Sequence, residues 1–108
     1  MKTLAALCAS ALVPATRATN REKLISKPIP SSGEAMPVIG LGSSRTFNVG
    51  DDIAARNTCA EVIRHFLVAG GRMIDSSPMY GSSQPVIGYA LDKLGRSSEV
   101  FSADKVWI

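Results

Sequence analysis

Apolar residues recur at helical spacing in two segments of the chain. The first stripe consists of Cys59, Val62, Ile63, Phe66 and Leu67, and the second consists of Ile87, Leu91 and Leu94. Positions three or four residues apart share one face of an α-helix, so each stripe predicts an amphipathic helix with one buried side. Asp51 or Asp52 can cap the first helix, and the glycines at residues 70–71 end it. The second helix can begin at either serine of residues 82–83 and end at Gly95.

Short apolar runs flank these helices and predict strands at residues 38–43, 72–75 and 100–107. The order strand, helix, strand, helix, strand is typical of a parallel sheet with right-handed crossovers. The last run lacks polar alternation, as strands covered on both faces do. Residues 28–37 place prolines, serines and a glycine between two extended pieces, which predicts a hairpin before the first strand. The predicted fold class is therefore α/β.

Three residues with useful chemistry lie near the carboxyl ends of the predicted strands. Asp75 ends the second strand, Tyr80 follows in its loop, and Lys105 lies in the third strand. Alternate residues of a strand point to the same face. Asp75 therefore shares a face of its strand with Met73, and Lys105 shares a face of its strand with Ala103. If these faces line a barrel interior, Asp75 and Lys105 approach each other at the end where barrels keep their chemistry.

This arrangement predicts a proton-donating site. A lysine drawn inward needs an anionic partner, and Asp75 can supply it. A cation beside a phenol stabilises the phenolate, so Lys105 would make Tyr80 a stronger general acid. Structural alternatives stay open: Asp75 could cap a turn, Tyr80 could be a loop aromatic, and Lys105 could reach solvent from an edge strand.

The glycines at positions 40 and 42 do not complete a dinucleotide-binding fingerprint. The third glycine of the Gly-x-Gly-x-x-Gly pattern is missing, and no helix begins directly after the pair. This disfavours the Rossmann fold. The two glycines still permit a flat ligand to lie against the end of the first strand.

Composition restricts the functions that remain. The chain has 108 residues and a formal net charge of +3, so one domain at most is expected. Its basic residues are scattered, which disfavours nucleic-acid binding, and no polycationic run could grip a membrane surface. Cys8 and Cys59 suggest no disulfide, and His65 stands alone as a solvated residue beside the helix stripe, so no metal site is predicted.

Residues 1–18 resemble a secretory signal peptide. Lys2 precedes an apolar run at residues 3–13, and small residues follow at Ala15 and Ala18. The run is too short to span a bilayer. An organellar transit peptide or a simple alanine-rich extension stays open. The expected location is secreted or periplasmic if the leader is a signal, and cytoplasmic otherwise.

Four sequence segments resemble the aldo-keto reductase family. They are residues 36–42, 71–81, 86–91 and 105–107, within a similarity that covers about residues 27–108. The resemblance implies the amino-terminal part of a (β/α)8 TIM barrel, which opens with a small hairpin. Residues 19–35 would form a linker and this hairpin, and residues 36–108 a partial barrel. The implied activity is hydride transfer from NADPH to a small-molecule aldehyde or ketone.

The resemblance also implies roles for individual residues. Tyr80 would donate the proton, Lys105 would make it more acidic, and Asp75 would hold Lys105 and touch the nicotinamide ribose. The cofactor NADP(H) would further contact Gly42, Ser43 and Ser44. Tyr80 and Trp107 would lie at the substrate pocket.

The chain departs from the family pattern at two places near this site. Residues 82–84 are Ser-Ser-Gln where the family often has Asn-Glu-Glu, and Asp104 stands where threonine is usual. Asp104 points to the face opposite Lys105, so it is expected to need a basic partner in the helix layer.

The family's histidine and its adenosine-phosphate loops would come after Ile108, so the chain is expected to be an amino-terminal fragment. A closed barrel typically needs about 250 residues. Expressed alone, residues 1–108 are expected to bind NADPH poorly, turn over no measurable substrate and aggregate through open sheet edges. A non-catalytic barrel relative that binds nucleotide as a sensor or docking subunit is the alternative. An unrelated α/β domain with structural Asp, Tyr and Lys residues is a further one.

Overall fold

The computed structural model describes residues 24–106 and Ile108. The signal peptide expected at residues 1–18 and the substrate contact expected at Trp107 therefore lie outside the described residues. The elements, in chain order, are β1 (Ser26–Pro28), β2 (Ala35–Pro37), β3 (Leu41–Gly42), α1 (Ile53–Val68), β4 (Met73–Asp75), α2 (Ser83–Leu94), a 3₁₀ helix (Ser97–Glu99) and β5 (Phe101–Ala103).

The predicted hairpin is confirmed. Strands β1 and β2 pair antiparallel, and Gly33 takes the left-handed φ of +73° that its turn requires. Arg72 holds the hairpin against the sheet, because its guanidinium pairs with Glu34 at 2.7 Å and donates to the Ala35 carbonyl.

The predicted parallel sheet is also confirmed. Strands β3, β4 and β5 pair in parallel in that order, and Gly42, Asp75 and Ala103 stand at the same level across the sheet. Helices α1 and α2 are the crossovers between these strands. The described residues form three strands of a barrel-like sheet and do not close a barrel. Because the strands are parallel, their carboxyl ends lie at the same edge of the sheet.

Helix α1 forms as its capping signals predict. The Asp52 carboxylate accepts a hydrogen bond from the Ala55 amide at 3.1 Å, which satisfies one of the free donors at the helix start. The buried face comprises Cys59, Ala60, Ile63 and Leu67. Val62, predicted on this face, is 43% exposed, because the packing line runs through the smaller Ala60.

The buried face of α2 differs from the prediction. Ser83, Val86 and Ala90 are buried, whereas the predicted stripe of Ile87, Leu91 and Leu94 packs only at the margin of the core. Small side chains at the contact let two helices approach closely, and α2 lies directly against α1. Gly95 ends the helix with a φ of +63°, as predicted.

The core lies between the helices and one face of the sheet. Ile74 points into it beside Phe47, Ile63 and Val86, all at most 2% exposed. The alternate residues of β4, Met73 and Asp75, therefore face the other side of the sheet. Neither helix of the described part is long and apolar enough to cross a bilayer.

Two strand predictions need correction in extent. The run at 38–43 forms a strand at Leu41–Gly42 alone, and Ile39 is 71% exposed. Its first residue belongs to the hairpin instead, because the Val38 amide bonds to the Ile25 carbonyl at 3.0 Å. The run at 100–107 forms a strand at Phe101–Ala103, preceded by the 3₁₀ helix.

Candidate active site

Lys105 and Asp75 meet at the carboxyl edge of the sheet. The Lys105 Nζ lies 2.8 and 2.7 Å from the two carboxylate oxygens of Asp75 and 2.9 Å from the Ser76 carbonyl oxygen. An ammonium group has three donors, and these three acceptors use all of them. The position of the nitrogen is therefore fixed by the end of β4.

The environment of Lys105 favours its charged form. Hydrogen bonding to Asp75 is the main cause that raises the pKa of Lys105, and the nearby Tyr80 adds to it, while partial desolvation opposes both. The two side chains of the ion pair are 43% and 42% exposed, so solvent weakens the attraction between them. Lys105 therefore stays an ammonium at neutral pH.

Tyr80 lies beside this ammonium. The Lys105 Nζ stands 4.8 Å from the centroid of the Tyr80 ring, within the range of a cation–π contact. Two backbone bonds, from the Tyr80 amide to the Ser77 carbonyl and from the Ser83 amide to the Tyr80 carbonyl, hold the loop in a tight turn. The structure thus brings Asp75, Tyr80 and Lys105 together at one corner, as the sequence predicts.

The residues expected at the cofactor differ in accessibility. Gly42 lies opposite Asp75 in the sheet register, and it is exposed, as is Ser44. Ser43 is fully buried, and its hydroxyl donates to the Asp75 carbonyl oxygen at 2.7 Å. The Ser43 side chain therefore braces the end of β4, while Gly42 and Ser44 remain open to a ligand.

Among the residues that the structure describes, Asp104 does not have the basic partner expected for it. Its Oδ2 accepts a hydrogen bond from the Gln84 amide nitrogen at 2.6 Å, and its Oδ1 accepts from the backbone amide of Lys105 at 2.8 Å. The expectation was wrong because Asp104 is exposed, so water and a neutral amide suffice to solvate the carboxylate.

Sequence reasoning missed the contacts made by small polar residues. Ser76 and Ser83 are 6% and 0% exposed and share a hydrogen bond of 3.1 Å between their hydroxyls. Asn48 accepts two hydrogen bonds from Ser82. A signal for Ser83 was present, because it lies three positions before the buried Val86 on the same helix face.

The other predicted features lie away from this corner. His65 is exposed on α1, with its Nε2 3.0 Å from the Arg64 guanidinium. Burial raises the pKa of the Cys59 thiol. Residues 24–106 contain no cluster of His, Cys, Asp and Glu side chains suited to a metal ion.

A separate apolar cavity of about 450 Å³ lies under the hairpin. Leu24, Val38 and Phe66 are among the residues that line it. None of the predicted site residues within the described ranges is part of this lining, so the cavity is distinct from the corner formed by Asp75, Tyr80 and Lys105.

The chain resembles known proteins in sequence and in fold. The model of the aldo/keto reductase family matches residues 38–108. Two solved structures of Pseudomonas aeruginosa proteins, both provisionally assigned as aldo-keto reductases, are 24% identical to this chain, with TM-scores of 0.63 over 76% of it and 0.65 over 82%. This likeness establishes a shared fold. The chain spans about a third of the solved relatives, 31% and 34% of their lengths. No match was found among curated proteins.

Proposed function

Since this chain belongs to the aldo/keto reductase family, we propose that it forms part of an NADPH-dependent enzyme that reduces an aldehyde or ketone to an alcohol. Tyr80 is the proton donor of this proposal, Lys105 its activator and Asp75 the holder of Lys105. The observation that supports it most is the position of the Lys105 Nζ, bound by the Asp75 carboxylate and 4.8 Å from the Tyr80 ring centroid.

The open face beside Asp75 fits a flat cofactor. A Cβ atom added at Gly42 would have no atom within 4 Å, so nothing in the described residues fills the space over Gly42, the neighbour of Asp75 in the sheet. When bound there, NADPH would supply the hydride that reaches the carbonyl carbon. Gly42 and Ser44 would line this face, and Asp75 would be within reach of the cofactor ribose.

The residues of the chain supply the proton. As the carbonyl oxygen gains negative charge, Tyr80 donates its phenolic proton to it, which completes the alcohol and leaves a phenolate. The Lys105 ammonium stabilises this phenolate by its charge. Asp75 and the Ser76 carbonyl keep the ammonium in place, and the phenolate then regains a proton from water.

The test replaces Tyr80 by Phe in the longest polypeptide that carries residues 1–108. General acids contribute about a hundredfold to ten-thousandfold to a rate, so aldehyde-dependent NADPH oxidation is expected to fall by that factor. Tyr89→Phe, at the contact between α2 and Asn57 of α1 and away from the site, is the matched control and is expected to leave turnover unchanged. Full activity of the Tyr80→Phe variant would contradict the proposal. Nucleotide binding without turnover in the unaltered protein would favour the sensor or docking subunit.

A further inference from the structure

The start of α2 contacts each segment that carries a group of the proposed site. Residues 82–84 are consecutive, and their side chains point to three different neighbours. They are also one of the two places near the site at which this chain departs from the pattern it resembles; the other is Asp104.

Ser83 connects to the acceptors of Lys105. Its hydroxyl donates to the Ser43 hydroxyl at 2.8 Å and lies 3.1 Å from the Ser76 hydroxyl. Ser43 in turn donates to the carbonyl oxygen of Asp75. All three serines are at most 6% exposed, so each hydroxyl depends on the others for its hydrogen bonds. The Lys105 ammonium is bound by Asp75 and Ser76 together, and Ser83 reaches the segments of both.

Ser82 fixes the loop of Tyr80. Its amide and its hydroxyl lie 2.9 and 3.1 Å from Asn48 Oδ1, and the hydroxyl accepts from the Gly50 amide at 2.7 Å. A serine at this position usually caps its own helix, but the Ser82 side chain makes no such bond. Gly81, with a φ of +57°, allows Asn48 to lie against the turn, since a Cβ there would stand 2.3 Å from Asn48 Oδ1. The turn that follows Tyr80 is thereby held against the loop after β3.

Gln84 fixes the backbone of Lys105. Its side-chain amide donates to Asp104 Oδ2, and Asp104 Oδ1 accepts from the Lys105 backbone amide. Gln84 and Asp104 are both exposed, so water competes for these bonds. Ser83, which is buried, therefore has the larger expected effect.

We propose that residues 82–84 position the Asp75–Lys105 pair and the Tyr80 loop relative to one another. Ser83 orients the acceptors of the ammonium, Ser82 orients the phenol loop, and Gln84 orients the lysine backbone. They act through other residues and touch no reacting atom. The catalytic meaning of this arrangement rests on the proposed function, whereas the geometry does not.

The first experiment exchanges the partners of one bond. In Gln84→Glu, a carboxylate without a donor faces Asp104, so kcat is expected to fall about threefold to tenfold with KM unchanged. In Gln84→Glu combined with Asp104→Asn, donor and acceptor are reversed and the bond is restored, so kcat is expected to recover. Both positions are exposed, so these variants are expected to fold. Equal kcat in Gln84→Glu and the unaltered protein, or no recovery in the double variant, would overturn the proposal.

The second experiment needs no turnover. Asp75 raises the pKa of Lys105. If Asp75 is displaced, a larger fraction of Lys105 is the neutral amine, and this amine is acylated faster. Competitive labelling with acetic anhydride, read by mass spectrometry, gives the acylation rate of Lys105 relative to that of the exposed Lys27. This ratio is expected to rise about threefold or more in Ser83→Ala, which corresponds to a fall of about half a unit or more in the pKa of Lys105. It is expected to rise in the same direction in Gln84→Met, which removes the amide donor to Asp104 and adds no charge. Ser98→Ala, an exposed serine after α2, is the control and is expected to leave the ratio unchanged.

The outcomes separate the two proposals. An unchanged labelling ratio in both variants overturns the positioning role even if Tyr80→Phe abolishes turnover. A raised ratio supports the positioning role even if no carbonyl substrate is reduced. If Ser83→Ala does not fold, the labelling of Gln84→Met decides the matter.

Discussion

Replacement of Ser43 by Ala separates two roles for this residue. The family resemblance makes Ser43 a cofactor contact, whereas the structure buries its hydroxyl completely and directs it to the Asp75 carbonyl oxygen at 2.7 Å. The Ser83 hydroxyl also donates to it at 2.8 Å. The substitution removes both bonds. We expect it to destabilise the protein before any cofactor is added.

The magnitude follows from these two bonds. Each contributes about 1 kcal/mol, and a buried acceptor left without a donor costs about 1–3 kcal/mol. The Ser83 hydroxyl keeps Ser76 as a partner, so the larger penalty falls on Asp75 alone. The expected loss is about 2–3 kcal/mol in the free energy of unfolding.

The assay is urea unfolding of the cofactor-free protein beside NADPH titration. Ser44→Ala is the matched control, because Ser44 is exposed and an exposed substitution changes stability by about 0.5 kcal/mol or less. If Ser43→Ala leaves the cofactor-free protein as stable as the unaltered one and weakens NADPH binding instead, the reasoning from burial is refuted.

Two further predictions concern pH and the leader. Because the pKa of Lys105 is raised in the folded state, its contribution to stability is complete below the ordinary lysine value of about 10.4 and is lost as pH rises through the folded value. Thermal unfolding from pH 9 to 12 is therefore expected to show a steeper alkaline loss than Asp75→Asn shows, and identical slopes would contradict the pairing. The leader at residues 1–18 is expected to be cleaved after Ala15 or Ala18 on export, which intact mass of the extracytoplasmic protein checks; an intact Met1 there would argue against a signal peptide.

The features that the sequence predicts well depend on contacts between residues that are close together in the chain. The capping carboxylate of Asp52 and the left-handed Gly95 mark helix ends through contacts within a few residues, and such contacts are visible in the sequence. The approach of Asp75 and Lys105 followed from strand parity and a parallel sheet, which together specify one edge and one face.

Features set by tertiary packing were not predictable in this way. The sequence favours the larger Ile87 and Leu91 for the buried side of α2, but the close approach of α1 selects Val86 and Ala90. The family resemblance implies a cofactor contact for Ser43, and the sequence gives no sign that its hydroxyl is buried. Its burial depends on Ser83, which is 40 positions away in the chain.

The partner of Asp104 shows the same limit. Gln84 lies 20 positions before it, and no periodicity connects the two residues. Exposure, which the sequence does not report, decided that a neutral amide could replace the basic partner.

The central claim is that the Lys105 ammonium activates Tyr80, and one measurement tests it directly. The rate of hydride transfer in a single turnover with NADPH already bound is compared between the full-length protein and Lys105→Met, together with the NADPH dissociation constant. We expect the rate of hydride transfer in Lys105→Met to be lower by at least about a hundredfold. The NADPH dissociation constant is expected to stay within about twofold of that of the unaltered protein. An unchanged rate at equal NADPH occupancy would contradict it.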